Sequence, residues 1–256
     1  MRTHDQTVQD QFDPRAQSYL ESPVHTAGPD LAHAQSLVAA AAPRTATLLD
    51  IGCGAGHLSF ALAPAVGRVI SFDPSEGMLE VLAAAAKARG LSQIETRRGS
   101  AEGLPFTTRE LDLVCTRFSA HHWLRLETAV AEMARVVKPS GYVLIIDTMT
   151  SEDALVDTHL QTMEVLRDPS HVRNRSVTQW RKLLGASGLV EIEHRSWPLR
   201  LEFKSWTERM RTTADRVAMI RALQRDAPRE VQEALACEAD GSFTVQVGLF
   251  WARPGG

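Results

Sequence analysis

Leu48-Leu49-Asp50-Ile51-Gly52-Cys53-Gly54-Ala55-Gly56-His57-Leu58 is the stretch on which the fold turns. A short apolar run carries one acid, three glycines follow at alternate positions, and an amphipathic segment starts at His57. Glycine reaches backbone angles closed to other residues and lets a ligand touch the main chain. A strand, a glycine turn and a helix start together make a nucleotide pocket at the carboxyl edge of a parallel sheet.

Spacing and charge decide which nucleotide. The dinucleotide fingerprint is Gly-x-Gly-x-x-Gly, with an acid roughly 20 residues on for the ribose. Here the third glycine comes one place early, as Gly52, Gly54 and Gly56. Asp73, which ends the apolar run 68–72, serves a ribose under either assignment, and its charge excludes a 2′-phosphate. Asp50 discriminates. A carboxylate just ahead of the loop repels a diphosphate in a shielded site. It suits a ligand carrying an ammonium and a sulfonium, which is the charge pattern of S-adenosylmethionine.

From these residues outward the chain resembles the class I S-adenosylmethionine-dependent methyltransferases, with recognisable motifs over 45–147. Asp50-x-Gly52-x-Gly54-x-Gly56 is similar to the family's first motif, and Asp73-Pro74-Ser75-x-x-Met78 to its second. Gly99-Ser100-Ala101-Glu102-Gly103-Leu104-Pro105-Phe106 resembles the adenine-side motif. Arg135-Val136-Val137-Lys138-Pro139-Ser140-Gly141 resembles the turn before strand five. Arg117-Phe118-Ser119-Ala120-His121-His122-Trp123, with the segment from Tyr19 to His25, is similar to the small-molecule branch near the ubiquinone and menaquinone C-methyltransferases. The resemblance implies S-adenosylmethionine as cofactor. Its implied holders are Tyr19, Asp50, Gly52, Cys53, Gly54, Gly56, Asp73, Pro74, Met78, Ser100, Ala101, Glu102 and Arg117. Ser100 departs from the family's usual aspartate, which bonds the adenine amino group; a hydroxyl replaces part of that interaction.

Bulk properties narrow the alternatives. At 256 residues the chain can bury a full core. A net charge of −3 argues against a surface made to hold a phosphate backbone. Cys53, Cys115 and Cys237 have no metal-ligand spacing, so no metal is expected and a reducing, cytoplasmic setting fits. No apolar run reaches the length of a membrane span. The expected partner is a small-molecule methyl acceptor rather than nucleic acid, with the protein a monomer or homodimer.

Periodicity then predicts a doubly wound, Rossmann-like α/β sheet of seven strands, the last antiparallel, with helical lid insertions. Residues 1–43 read as an N-terminal helical arm over the cofactor site, from which Tyr19 or His25 reaches the ligand. Residues 44–256 read as the methyltransferase domain, with lid segments at about 151–175 and 205–237. The expected strands are 47–51, 68–72, 94–98, 111–116 and 142–146, then a strand at 190–203 interrupted by Pro198, and a last one at 243–251. A helix is expected over 57–66, and Ser205-Trp206-Thr207-Glu208 reads as a capping box opening a long helix broken at Pro228.

The catalytic candidates are His121 and His122, which follow strand four where the transferred methyl faces its acceptor. A general base is needed only when the acceptor must lose a proton, and histidine suits that task near neutral pH. The alternative is that one ring caps the next helix and the other packs under Trp123. The segment after strand four, Thr116-Arg117-Phe118-Ser119, lacks the Asn/Asp-Pro-Pro-Tyr/Phe used on adenine or glutamine amides. An RNA or protein methyltransferase, and a cofactor-binding protein without turnover, are the competing functions.

Overall fold

The computed structural model describes residues 2–20 and 26–255, so His25 lies outside the described residues. The arm is two short helices, α1 (His4–Phe12) and α2 (Ala16–Leu20), separated by a 3-10 turn at Asp13–Arg15. Pro14 sits inside that turn and separates the two helices. Then α3 (Pro29–Ala41) leads into β1 (Thr47–Ile51), α4 (His57–Leu62), β2 (Arg68–Asp73), α5 (Glu76–Ala88), β3 (Ile94–Arg98) and β4 (Leu111–Arg117). The chain continues through α6 (Leu126–Val136), β5 (Val137–Met149), α7 (Ala154–Arg167), α8 (Val177–Ala186) and β6 (Leu189–Leu201). It ends with α9 (Phe203–Arg209), α10 (Ala214–Arg225), α11 (Arg229–Ala234) and β7 (Phe243–Pro254).

The seven strands form one sheet in the order β3-β2-β1-β4-β5-β7-β6. Only β7 runs against the rest, pairing antiparallel with β5 and β6. The central strands are buried on both faces, which is why they read as unbroken apolar runs. Leu48 and Leu49 show the alternation of a strand. Leu48 packs with Leu31, Val38 and Leu62 of the α3–α4 side, and Leu49 with Val130, Met133 and Trp180 of the α6–α8 side. Strand order reverses between β1 and β4, so a crevice opens at their carboxyl ends.

The structure differs from the periodic pattern at three places. First, β6 continues through Pro198, which sits opposite Gln246; β6 is the edge strand, where a missing N–H costs no central ladder bond. Second, α4 ends at Leu62, and a 3-10 turn at Ala63–Ala65, with Pro64 inside it, replaces its expected last turn. Third, Ser205 is no cap. Glu202 holds that position, accepting from the backbone N–H groups of Lys204 and Ser205 at 3.2 and 2.7 Å. The expected long helix is three, divided at Arg211 with φ of 52° and before Arg229 at Pro228.

Helices α7, α9, α10 and α11 close around a core of their own. Leu160, Met163, Trp206, Ile220 and Val231 pack there against Phe243 and Val245 of β7. The Trp206 ring meets Phe243 edge-on at 5.0 Å. No helix among the described residues is long and apolar enough to cross a membrane.

Candidate functional site

A cavity of about 340 Å³ lies over the crevice at β1 and β4, within the ~300–1,000 Å³ typical of small-molecule sites. Its floor is the loop after β1, where Gly52, Gly54 and Gly56 have φ of 64°, 49° and 93°. The three glycines do different things. A Cβ at Gly52 would stand 1.8 Å from Ser119 Oγ, so the loops after β1 and β4 touch there. A Cβ at Gly56 would stand 2.6 Å from Leu82 Cγ; that glycine lets α5 pack close and does not line the cavity. Gly54 faces open space, and its N–H donates to Asp73 Oδ2 at 2.9 Å.

Asp50 is buried at the end of β1. Its Oδ2 accepts from Ser59 Oγ at 2.6 Å, while Oδ1 is buried with no hydrogen-bond partner among the described residues. Burial pushes its pKa up to about 7, against the Ser59 hydrogen bond and the charge of Arg117. A buried carboxylate oxygen left without a donor fits a cationic ligand group. The ammonium of S-adenosylmethionine is such a group. Asp73 differs: both oxygens already accept backbone N–H groups, from Gly54 and from Ser75 at 2.9 Å. Each oxygen keeps a second lone pair, so ribose hydroxyls would share it with the loop. Burial raises its pKa to about 6.

The other expected residues assemble largely as a set. Tyr19, Cys53, Pro74, Met78, Ser100, Ala101, Glu102, Arg117 and His122 line the same cavity. Met78 is also buried against Ala16 and Ala55, tying the arm to the glycine loop. Glu102 is committed to Arg125, accepting from its backbone N–H at 2.7 Å and from its guanidinium at 3.1 and 3.2 Å. Arg117 Nε donates to Asp30 Oδ2 at 2.6 Å, a buried ion pair that fastens α3 to the end of β4. Tyr19 donates through Oη to Met210 Sδ at 3.1 Å, and its carbonyl accepts from His57 at 2.9 Å.

The histidine pair separates. His121 does not line the cavity. Its Nδ1 donates to Asp147 Oδ1 at 2.6 Å, and its backbone N–H reaches Asp147 Oδ2 at 3.1 Å. Burial lowers its pKa, but the charge and hydrogen bond of Asp147 outweigh burial and leave it raised. His122 faces the cavity and donates through Nδ1 to the Ser170 carbonyl at 3.0 Å. That bond puts its free lone pair on Nε2. Burial, then the neighbouring His121 ring 4.2 Å away, push its pKa down to about 4. It is neutral near pH 7 and a weak base.

Part of the wall was not legible in the sequence. His4, Asp5, Val8, Gln9 and Phe12 of α1 roof the cavity, although α1 buries no residue completely. His4 Nε2 donates to the His122 carbonyl at 2.8 Å. At the other end Asp13 accepts from Ser75 Oγ. The α1 sequence is mostly polar, so no apolar stripe announced its position. Ser119 and Trp123 also line the cavity, joined by an indole N–H donated to Ser119 Oγ at 3.1 Å.

The strand order, the glycine loop at the switch point and the orphaned carboxylate define a nucleotide-binding fold whose loop edge fits a cationic ligand group. A family profile described as "Methyltransferase domain" matches residues 49–145. The chain is 41% identical over 196 residues to the "Uncharacterized protein YafE" of Escherichia coli (strain K12), covering 77% of this chain and 95% of that protein. It is 34% identical over 209 residues to the "Uncharacterized methyltransferase YcgJ" of Bacillus subtilis (strain 168), covering 82% of each. The solved structure of YcgJ superposes with a TM-score of 0.82 at 31% identity, covering 88% of this chain and 99% of that one. A demethylmenaquinone methyltransferase of Bacillus licheniformis is 39% identical over 113 residues, 43% of this chain and 48% of that protein. The chain belongs to the class I S-adenosylmethionine-dependent methyltransferases, and S-adenosylmethionine is its cofactor.

Proposed function

We propose that this enzyme methylates a small aromatic or apolar acceptor at carbon, oxygen or nitrogen. The observation that carries the proposal is the enclosure of the cavity. Phe12, Tyr19, Phe118 and Trp123 line it, and α1 lies across it from the loop after β4 to the loop after β2. A roofed, aromatic pocket suits a metabolite better than an extended polymer. The local match to a demethylmenaquinone methyltransferase, whose acceptor is a small molecule by its name, agrees.

The cofactor supplies a methyl on sulfonium, whose leaving group is a neutral thioether. The chain's task is therefore to hold nucleophile and methyl in line and keep water out. Asp50 would receive the cofactor's ammonium, Asp73 would share its ribose, and Met78, Pro74 and Ala101 would pack on its adenine. His122 Nε2 accepts the O–H or N–H of the acceptor and orients it. The arm helices α1 and α2 roof the cavity, and the segments 151–175 and 205–237 back them as the outer part of the cover. Two contacts tie the arm to the 205–237 segment, Arg15 donating to the Met210 carbonyl at 3.0 Å and Tyr19 to Met210 Sδ; His122 donating to the Ser170 carbonyl ties the 151–175 segment to the loop after β4.

Incubation with methyl-labelled S-adenosylmethionine tests the proposal. One arm offers a panel of phenols, quinols and apolar amines; the other offers total RNA and total protein. Label is expected in small products only. Label entering RNA or protein, with none in the panel, would overturn it.

A further inference from the structure

We propose that Gln9, on the arm helix α1, reads the adenine of the cofactor in place of the carboxylate that this chain lacks at Ser100. The inference rests on the cavity being the cofactor site. On the adenine-side loop the one carboxylate, Glu102, is already engaged by Arg125. Ser100 Oγ accepts from the Glu102 backbone N–H at 3.4 Å, and both Glu102 oxygens are taken by Arg125. The exocyclic amino group of an adenine there needs another acceptor.

Helix α1 offers one. His4, Val8 and Phe12 form one row along it, at the spacing of four that aligns residues on a helix. That row faces the histidine side, because His4 bonds the His122 carbonyl and the Phe12 ring meets the His122 ring edge-on at 5.0 Å. Asp5 and Gln9 form the adjacent row, roughly 100° round the helix. Both rows line the same cavity as Ser100 and Glu102. The α1 helix is fixed at both ends, by His4 to the loop after β4 and by Asp13 to Ser75, so Gln9 stands at mid-span.

The Gln9 amide has no hydrogen-bond partner among the described residues and is half-buried. An amide matches adenine on both counts: its oxygen accepts from the exocyclic amino group while its NH₂ donates to a ring nitrogen. Asp5 supplies acceptors only, and it is exposed. Reading adenine from the arm also links the roof to the ligand, since the same helix that encloses the cavity then gains its partner from the cofactor.

Calorimetry with S-adenosylhomocysteine and its 6-deamino (purine) analogue tests the assignment. The parent protein is expected to favour the amino form roughly tenfold, the scale of one well-made hydrogen bond. Gln9→Ala should cut that preference below about twofold without moving the melting temperature of the ligand-free protein. Adding Ser100→Asp to Gln9→Ala should restore it. An unchanged preference in Gln9→Ala overturns the role of Gln9, as does equal weakening of both ligands or a loss that appears in Asp5→Ala instead. If the parent binds neither ligand, the cofactor-site assignment itself fails.

Discussion

Asp50 concentrates the electrostatics of the site into one group. Its folded pKa of about 7 lies above the ~3.9 of an unfolded chain. The protonated carboxyl therefore stabilises the ligand-free fold fully below about pH 4, and that contribution is lost as pH rises to about 7. A bound ammonium reverses the balance, since it favours the ionised form. Affinity for S-adenosylhomocysteine is thus expected to rise from pH 6 to pH 8, and calorimetry at the two pH values would show it. Asp50→Asn should remove that rise and weaken binding by about 1.5–3 kcal/mol, the range for a hydrogen bond to a charged group. At pH 8 the same variant should melt higher than the parent in the absence of ligand. Binding that ignores both pH and the substitution would take Asp50 out of the cofactor site. His122 supports a sharper test. A ring that only orients the acceptor by a lone pair can be imitated by an amide oxygen. His122→Gln should therefore keep several times more turnover than His122→Ala, which should lose on the order of 10–100-fold. Equal losses beyond about 10²-fold in both variants would mean that the imidazole takes the proton.

Elements differ in how they are anchored, and the differences predict separate failures. The core that α7, α9, α10 and α11 build around Trp206 is distinct from the two clusters on the sheet faces. Trp206→Ala should cost about 3–5 kcal/mol where it acts, as large-to-small core changes do. It should loosen this block and the Arg167 guanidinium, whose Nε donates to the Trp206 carbonyl at 3.0 Å and which lies over the indole at 5.0 Å. The sheet, whose core does not include Trp206, should keep its far-ultraviolet signature, and proteolysis should cut first within 203–237. Cleavage starting in β1 or β4 would show that block and sheet melt as one unit. The α1 helix is the opposite case. It roofs the cavity while burying no residue completely, and it is held by hydrogen bonds at its two ends.

Across the whole molecule these anchors set an order of opening. Few buried apolar contacts mean low local stability, so hydrogen exchange in the ligand-free protein should be fastest in α1, slower in α10 and α11, and slowest in β1, β4 and β5. S-adenosylhomocysteine should slow α1 first, because that helix contacts the cavity directly. The helical block should respond only when an acceptor is added as well. Uniform exchange across arm, block and sheet, unmoved by ligand, would make the cover a fixed part of the architecture. The buried Asp30–Arg117 pair belongs to this scale too, since it fastens α3 to the end of β4.

What the sequence determined by itself follows from local periodicity. Runs buried on both faces mark parallel strands, helical spacing fills the connections, and glycines beside an acid mark the loop that a ligand approaches. These signals placed the seven strands, the switch point and most of the cavity floor, because each depends on residues close together in the chain. The tertiary structure decided the rest. It assigned Gly56 to packing against Leu82, turned His121 to Asp147 and left His122 at the cavity, and made Glu202 rather than Ser205 the cap of α9. It also laid a mostly polar helix across the site, where five of its residues line the cavity. In the site itself the partners lie far apart in sequence: His4 with His122, His121 with Asp147, His122 with Ser170 and Arg15 with Met210. Side-chain spacing tells which face of an element is buried, but the group that waits on the other side is set by how distant segments pack.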